Sequence, residues 1–561
     1  MKSTSLIAML FAATAAGSEE GHDHSGHGAA PAKLGTVHFA TSCAASAAPD
    51  LQRGVALVHH MTYESAEEAF LAAAQKDPQC GMAYWGVAMT LFHPVWPGQP
   101  DAATLARGQA MLDKARGFTR TEREKDYVEA AAAYYRDSAQ LDHNVRLRNF
   151  SDAMEKLYRK YYPADIEAAA FYALSLLGII DPSDRTYARQ KQAGTLVEEI
   201  AAREPDHPGV YHYIIHAYDY PGLAERALSA ARKYDKVAPE NPHALHMPTH
   251  IFTRLGLWKE SIAWNLRSAT AAKKLNPGGA VSIHYAHALD YLEYAYLQGA
   301  KDARADQVLR DLGSVATWQD DFPVAYALAA APVRRAVEHH RWAEAAELKP
   351  RQPASFPWDK YAAPEAIVHF GRALGAARSG DLSKAKAEVA SLDGLLEKLK
   401  QAKNAYWATQ VDIQRQAAQA WLTLAEGRKE EAVKQMRSAA DLESTTEKHP
   451  VTPGEVLPAR ELIGDLLVEV GRPADALTEY EQALKRSPNR FNSLYGAGRA
   501  AEAARNPAAA RTYYAKLVEV CADGEAGRDE LRHAKAFLAK GAIQGRQTKP
   551  GQQRREEVGS R

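Results

Sequence analysis

The chain has 561 residues, which exceeds what one compact core holds, so we expect several domains or a solenoid that grows by stacking repeated units. Its 69 Lys and Arg residues balance 69 Asp and Glu residues, giving a formal net charge of +0 at pH 7. This balance argues against a nucleic-acid partner, which would need a basic surface. Helix-forming residues dominate and alternating Val/Ile/Thr segments are hard to find, so the sequence predicts an all-α fold.

The N-terminus has the pattern of an export signal. Lys2 precedes an apolar stretch from Leu6 to Ala16, and Ala13 with Ala15 supplies small residues for cleavage. We therefore predict a signal peptide over residues 1–17 and a periplasmic or secreted protein. The stretch is too short to cross a bilayer, and we expect no membrane span elsewhere. The alternative is the first helix of a cytosolic protein.

Residues 18–46 are predicted to be a disordered linker, and they begin with EEGHDHSGHG. The three histidines of this tract, His22, His24 and His27, can bind borderline divalent metals, although solvated linkers are also common.

Three cysteines add a second expectation about the N-terminal region. In an oxidising compartment we expect a disulfide between Cys43 and Cys80, which leaves Cys521 free. Two buried reduced thiols are the alternative.

A spacing of small, aromatic, small and proline residues recurs from about residue 47. It appears as Ala66, Phe70, Ala73 and Pro78, as Ala230, Tyr234, Val237 and Pro242, and as Ala476, Tyr480, Ala483 and Pro488. Gly54 and Gly464 each precede the first small residue by about 12 positions. The pattern resembles the tetratricopeptide repeat (TPR) family. That resemblance implies a TPR-type α-solenoid, a right-handed superhelix of antiparallel helix pairs, in two arrays with a bend.

Proline and tryptophan content sets the predicted boundaries of these arrays. They are an N-terminal array over 47–316, a Pro/Trp-rich junction over 317–364, a C-terminal array over 365–540 and a disordered tail over 541–561. The segment HPVWPGQP at 93–100 is expected to fold over the groove, and Thr121 with Glu124 predicts a helix-starting capping box.

His216, His250 and His284 stand 34 residues apart, the length of one repeat. His212 and His246 precede this column by four residues, and His287 follows it by three. These offsets place all six histidines on one face of successive helices. Since first helices line the concave wall of such a superhelix, we expect a patch of imidazoles facing the groove.

Clustered imidazoles predict a transition-metal site, with zinc first. The predicted metal-site residues are His212, His216, His246, His250, His284 and His287. We favour His216, His250 and His284 as the ligands. The residues expected beside the metal or a bound molecule are Asp219, His243, Arg254 and Asp290, with Asp219 or Asp290 orienting an imidazole.

Two other interpretations of the patch stay open. The histidines could line a metal-free groove that binds a peptide, or they could form a structural hydrogen-bond ladder. Metal-assisted catalysis would need a base, for which Asp219, Asp290 and Glu293 are the local candidates. His59 and His60 are interpreted as structural. We find no nucleophile motif, phosphate loop or dinucleotide fingerprint.

Four segments carry a closer resemblance: AYWGVAM at 83–89, HPGVYHYIIHAYDYP at 207–221, HALHMPTHIFTRLG at 243–256 and HALDYLEYAYLQ at 287–298. They look like a group of secreted bacterial TPR proteins, over most of residues 34–310. The resemblance implies an extracytoplasmic, repeat-built protein and implies no particular reaction.

The sequence therefore favours an exported scaffold that binds an unknown protein or peptide in its groove and carries a histidine metal site. The alternative is a metal-dependent hydrolase or a metal-sequestering protein that uses the same histidines. A purely architectural spacer is the third hypothesis.

Overall fold

The computed structural model describes residues 33–96, 98–181, 184–275, 279–525 and 527–547, with side chains up to residue 540. The predicted signal peptide, the histidines at positions 22, 24 and 27, and residues 548–561 lie outside these ranges. The described chain is a succession of α-helices, which confirms the all-α repeat fold. Extended backbone contributes one isolated bridge within these ranges, between Val281 and Trp318.

The helices of the first half are α1 Ala48–His59, α2 Tyr63–Lys76, α3 Gly81–Thr90, α4 Ala102–Phe118, α5 Glu122–Tyr135, α6 His143–Tyr161, α7 Ile166–Leu177, α8 Ala188–Arg203, α9 Pro208–Tyr218, α10 Ala224–Ala231, α11 Pro242–His246, α12 Pro248–Arg254, α13 Trp258–Ala272 and α14 Ile283–Gln298. Those of the second half are α15 Asp302–Gly313, α16 Phe322–Val337, α17 Trp342–Ala346, α18 Ala362–Ser379, α19 Leu382–Gln401, α20 Ala405–Ala425, α21 Lys429–Ser444, α22 Ala459–Glu469, α23 Pro473–Arg486, α24 Phe491–Ala503, α25 Pro507–Val520 and α26 Asp529–Gln547. Within the described ranges, short 3-10 helices cover Tyr234–Lys236 and Trp358–Lys360. None of the helices in the described ranges is long and apolar enough to cross a bilayer.

Glycine and aromatic residues explain how neighbouring helices pack. Phe70 of α2 lies between Gly54 of α1 and Gly86 of α3, where an added Cβ would stand 2.6 Å and 2.3 Å from its ring. Tyr480 of α23 lies in the same way against Gly464 of α22 and Gly496 of α24, at 2.8 Å and 2.4 Å. The aromatic of each second helix therefore fills the space that missing side chains leave on the first helices on either side.

Local sequence signals explain two helix starts, the first of which the sequence predicts. Thr121 and Glu124 form a capping box at the start of α5, each side chain bonding the backbone of the other. Pro248 separates α11 from α12, because its ring nitrogen has no hydrogen to donate to the preceding turn.

Two predicted boundaries differ from the structure. The linker was expected to extend to residue 46, but Leu34 and Phe39 are buried, and Cys43 is joined to Cys80 in a disulfide. Residues 33–46 are ordered because their apolar side chains pack on α1, α3 and α5. The tail was expected to be disordered from residue 541, but α26 continues to Gln547.

The junction predicted at 317–364 contains α16 and α17, and its Val324 and Trp358 belong to one apolar core that runs from Ala269 to Ala500. C-terminal helices then pack back on the middle of the chain. Arg490, fully buried, pairs with Glu338 at 2.5 Å and with Glu461 at 2.8 Å. Arg490 also donates to the hydroxyl of Tyr294 at 3.2 Å, so the two predicted arrays contact each other directly.

The segment between α21 and α22, residues 445–458, closes the concave side and is called the crossing loop here. Most of its second half is buried. Tyr291 of α14 donates to the backbone carbonyls of Pro450 and Thr452, at 3.1 and 2.8 Å. Its Lys448 reaches Asp219, 229 residues away in the chain, with an N–O distance of 2.7 Å. The groove beside α9, α12 and α14 is thus occupied by the chain itself.

Replacing Gly498 of α24 by Ala tests the packing account. An added Cβ there would stand 2.4 Å from the buried ring of Tyr514, so we expect a loss of about 1–3 kcal/mol in unfolding free energy. Urea denaturation measures the change.

The matched control is Gly394→Ala, at an exposed helical site where an added Cβ meets nothing within 4 Å. It should be neutral or stabilise by about 0.5–1 kcal/mol. Equal effects of the two substitutions would contradict the packing account.

Candidate metal centre

Three neighbouring helical segments bring the predicted histidines together. Pro208 starts α9, which carries His212 and His216 one turn apart. The broken helix α11–α12 carries His243, His246 and His250, and α14 carries His284 and His287. Because α9, α12 and α14 occupy equivalent places in successive repeats, their histidine faces meet on one side of the molecule.

The imidazoles form two groups of three. Triad A is His246, His250 and His287, and triad B is His212, His216 and His243. Within each triad, one ring nitrogen from each residue lies within 4.8 Å of the others.

Hydrogen bonds assign the tautomers in triad A. His246 Nδ1 lies 2.8 Å from Asn265 Oδ1, and the amide nitrogen of Asn265 donates to the Ser261 carbonyl, which fixes the amide orientation. His250 Nδ1 lies 3.1 Å from a carboxylate oxygen of Asp219. Both Nδ1 atoms therefore carry the hydrogen, so in the neutral rings both Nε2 atoms carry a lone pair.

These two lone pairs face each other. His246 Nε2 and His250 Nε2 are 3.0 Å apart. Two acceptors at this distance repel unless a proton or a metal cation lies between them. Tetrahedral zinc with bonds of 2.0–2.1 Å would place its nitrogen ligands about 3.3 Å apart, so a shift of a few tenths of an ångström is enough to bind it.

Triad B has a related arrangement. His212 Nδ1 lies 2.7 Å from the His59 carbonyl, which can only accept, so His212 Nε2 carries the lone pair. It lies 3.1 Å from His216 Nε2. His243 is 3% exposed, and neither of its ring nitrogens has a hydrogen-bond partner among the described residues.

Burial keeps these imidazoles neutral. Desolvation lowers the pKa of His212, His243, His246, His250 and His287, and it lowers the pKa of His216 to about 3 and that of His284 to about 4. Neutral imidazole is the form that binds a metal, so the site is ready for a cation at neutral pH.

Asp219 is the charged neighbour of triad A. Burial alone would raise the pKa of its carboxyl, but Lys448, Arg254 and His250 outweigh burial and hold that pKa well below its usual range. Lys448 Nζ lies 2.7 Å away and Arg254 Nε 3.1 Å away. The carboxylate is thus ionised and accepts the His250 hydrogen.

A small cavity of about 30 Å³ lies between the triads, enough for one or two water-sized ligands. Its polar lining is His216, His243, His250, His284 and His287, and its apolar lining is Val95, Trp96, Met247, Ile283, Pro323, Pro450 and Val451. Val95 and Trp96, together with Pro450 and Val451 of the crossing loop, therefore cover it.

The structure corrects several expectations for the site. The imidazoles were expected to face an open groove, but His212 is 0% exposed because it packs against the His59 carbonyl and the rings of Tyr234 and His243. His284, expected as a ligand, belongs to neither triad; its ring centre lies 5.4 Å from that of His243. His243, expected beside the metal, converges with His212 and His216.

The polar neighbours also differ. Asp290 pairs with Arg334 at 2.9 Å instead of orienting an imidazole, because Arg334 of α16 packs against it. Arg254 is bound to Asp219 and is not free to receive an anionic group. Asn265 and Lys448 were missed, since neither stands at a repeat spacing from the histidines.

A third buried group contains His59, Glu167 and His207. His59 Nε2 lies 2.7 Å from one carboxylate oxygen of Glu167, and His207 Nε2 lies 3.1 Å from the other. The remaining nitrogen of His59 contacts the Tyr213 hydroxyl at 2.7 Å. All these groups are hydrogen-bonded, which is consistent with a structural network.

Comparison with known proteins adds a family match in the second half of the chain. A tetratricopeptide repeat model matches residues 462–526, from α22 to the end of α25 and beyond. No curated protein sequence matches the chain.

Two solved structures are similar over most of their length. One is a chain of the APC/C hetero-tetramer Cut9-Hcn1, at 10% identity over 87% of this chain and 95% of that chain, with a TM-score of 0.28. The other is the P58(IPK) TPR domain, at 12% identity over 89% of this chain and 99% of that one, with a TM-score of 0.21. With TM-scores this low, the two structures give no information about the function of this chain.

Asp219→Asn should destabilise the protein by about 3–5 kcal/mol, since Lys448 and Arg254 would be left as buried, unpaired cations. Urea denaturation measures the loss, and adding Lys448→Met should restore part of it. Asp523→Asn removes an exposed partner of Lys259 and serves as control, with an expected change within about 0.5 kcal/mol. An equally small effect at Asp219 would contradict its role.

Acid should destabilise the protein through its buried neutral imidazoles. Burial lowers the pKa of His60 from 6.5 to about 3, so below pH 6.5 the unfolded chain takes up a proton that the folded chain refuses. The contribution of neutral His60 to the unfolding free energy is therefore complete above pH 6.5. It falls by about 1.4 kcal/mol per pH unit between pH 6.5 and 3.

Urea denaturation at pH 7, 6 and 5, in the presence of a chelator, measures this slope. For His60→Gln, the unfolding free energy should change less steeply with pH than for the wild type, by that amount per pH unit. Identical slopes would show that His60 is not held neutral.

Proposed function

Since residues 462–526 give this chain a tetratricopeptide repeat, we propose that it is an exported repeat protein whose helices hold a transition-metal ion at triad A. One observation carries the proposal. His246 Nε2 and His250 Nε2 stand 3.0 Å apart, and their hydrogen bonds leave a lone pair on each. A bound cation turns this repulsion into two coordinate bonds, with His287 as the third ligand.

The surroundings of triad A support a metal over a shared proton. A proton between the two rings would make one of them a buried imidazolium, and burial lowers the pKa of both. Metal-bound histidines commonly donate their other nitrogen to an amide, carboxylate or carbonyl oxygen. His246 and His250 have such partners in Asn265 and Asp219.

The ligand atoms favour particular metals. Imidazole nitrogen suits zinc, copper, iron and nickel, and three histidines with an open fourth position are a common arrangement for reactive zinc. Zinc is the metal we propose first. The fourth position would face the cavity, whose volume of about 30 Å³ suits small ligands.

Hydrolysis of a large substrate has less support. Its base would have to be Asp219, Asp290 or Glu293, but Asp219 holds two cations and Arg334 pairs with the other two. We therefore propose binding of the metal, with access for small molecules, ahead of a hydrolase.

Binding of a protein partner is the second candidate function, and the repeat at 462–526 favours it. A partner of the groove beside triad A would have to displace the crossing loop. We therefore propose that any partner binds a different face of the repeats.

Metal analysis tests the proposal. In a His22→Ala/His24→Ala/His27→Ala background, untagged protein supplied with Zn²⁺ and then gel-filtered should retain stoichiometric zinc by elemental mass spectrometry. His246→Ala should lose the triad A ion, whereas Asn265→Ala should weaken its affinity about 10–100-fold by removing the hydrogen-bond partner of His246.

His533→Ala, which removes a half-exposed histidine from α26, is the matched control and should leave the zinc content unchanged. Circular dichroism confirms that each variant keeps its helical content. Wild-type protein without retained metal, or an unchanged zinc content in His246→Ala, would refute the site.

A further inference from the structure

We propose that triad B binds a second metal ion, so that the two triads form a dinuclear centre around the cavity. The inference rests on the proposed metal site at triad A, but a different set of contacts supports it. His212, His216 and His243 present one ring nitrogen each within 4.8 Å of the others.

His243 provides the strongest support. It is 3% exposed, and both of its ring nitrogens are buried without a hydrogen-bond partner among the described residues. A buried polar group in this condition destabilises a fold, because it has lost its hydrogen bonds to water and gained none in return. Coordination of a metal by one nitrogen removes much of that penalty, and a purely structural role for His243 leaves it in place.

His212 is held for coordination in the same way as the histidines of triad A. Its Nδ1 hydrogen bonds to the His59 carbonyl, and its Nε2 lone pair points toward His216 Nε2 at 3.1 Å. His216 alone could satisfy this contact by carrying its hydrogen on Nε2. That tautomer would still leave both ring nitrogens of His243 without a partner. A hydrogen bond between His212 and His216 therefore does not explain why His243 lies beside them.

The two triads are close enough to act on one ligand. The ring centres of His216 and His250 are 6.2 Å apart, and those of His243 and His246 are 6.4 Å apart. The cavity is lined by members of both triads. A molecule in it would therefore contact both ions.

Charge indicates what that molecule is. Six neutral imidazoles supply no negative charge, and the single carboxylate of Asp219 already faces two cations, Lys448 and Arg254. Two buried divalent ions would therefore need anionic ligands, and a cavity of about 30 Å³ has room for small ones such as hydroxide. Trp96 and Pro450 supply apolar walls to the cavity, so an anion would bind on its histidine side.

Stoichiometry tests the second ion. In the background that lacks His22, His24 and His27, equilibrium dialysis against Zn²⁺ should give two ions per wild-type chain. His243→Ala should keep one ion, His287→Ala should keep one, and the double variant should keep none, while His533→Ala should keep two.

The outcomes separate the two proposals. One ion in the wild type, retained by His243→Ala and lost by His287→Ala, would overturn the dinuclear centre and leave the triad A site intact. No bound ion in the wild type would overturn both.

Electron paramagnetic resonance of Cu²⁺-loaded protein provides a readout that does not depend on counting ions. Two adjacent Cu²⁺ ions joined by a small ligand couple magnetically, so the wild type should show a weak signal relative to its copper content. His243→Ala, with one isolated ion, should recover the full signal per copper. Full intensity from two copper ions in the wild type would contradict a shared centre.

Discussion

The buried carboxylate of Asp219 holds the centre of this molecule together. It accepts hydrogen bonds from His250 of α12, from Arg254 of the same helix and from Lys448 of the crossing loop. One ionised side chain therefore joins the end of α9, the next repeat and a segment 229 residues away in sequence. The carboxylate that binds Lys448, and so holds the crossing loop over the groove, also decides which nitrogen of His250 carries the hydrogen.

Closure of the groove changes the chemistry of the histidines. In an open groove, water would form hydrogen bonds with the ring nitrogens, and the clustered imidazoles would behave as ordinary solvated side chains. Under the crossing loop they lose water, stay neutral and are left with lone pairs that face each other. In the proposed centre a cation relieves the repulsion that solvent cannot reach, and burial would thus convert a repeated residue into a metal ligand.

Much of the fold could be predicted from the sequence, because it depends on short-range patterns. The spacing of Gly464 and Tyr480 predicts a contact between adjacent helices, and the pair Thr121 and Glu124 predicts the start of a helix. The 34-residue interval likewise placed His216 and His250 on neighbouring helices.

The grouping of the site could not be predicted in the same way. Which histidines converge depends on how α9, α11, α12 and α14 pack together, and this packing puts His243, in place of His284, within a triad. Burial depends on the crossing loop, whose position no local spacing encodes. The hydrogen-bond partner Asn265 lies on a second helix and has no repeat signature.

The most direct test of the account is an anomalous-scattering map, collected at the zinc absorption edge from crystals of zinc-supplemented protein. The account predicts a peak between His246 and His250, about 2.0–2.1 Å from each Nε2 atom. Absence of that peak, with the two nitrogens still in contact, would mean that they share a proton and would contradict the metal centre.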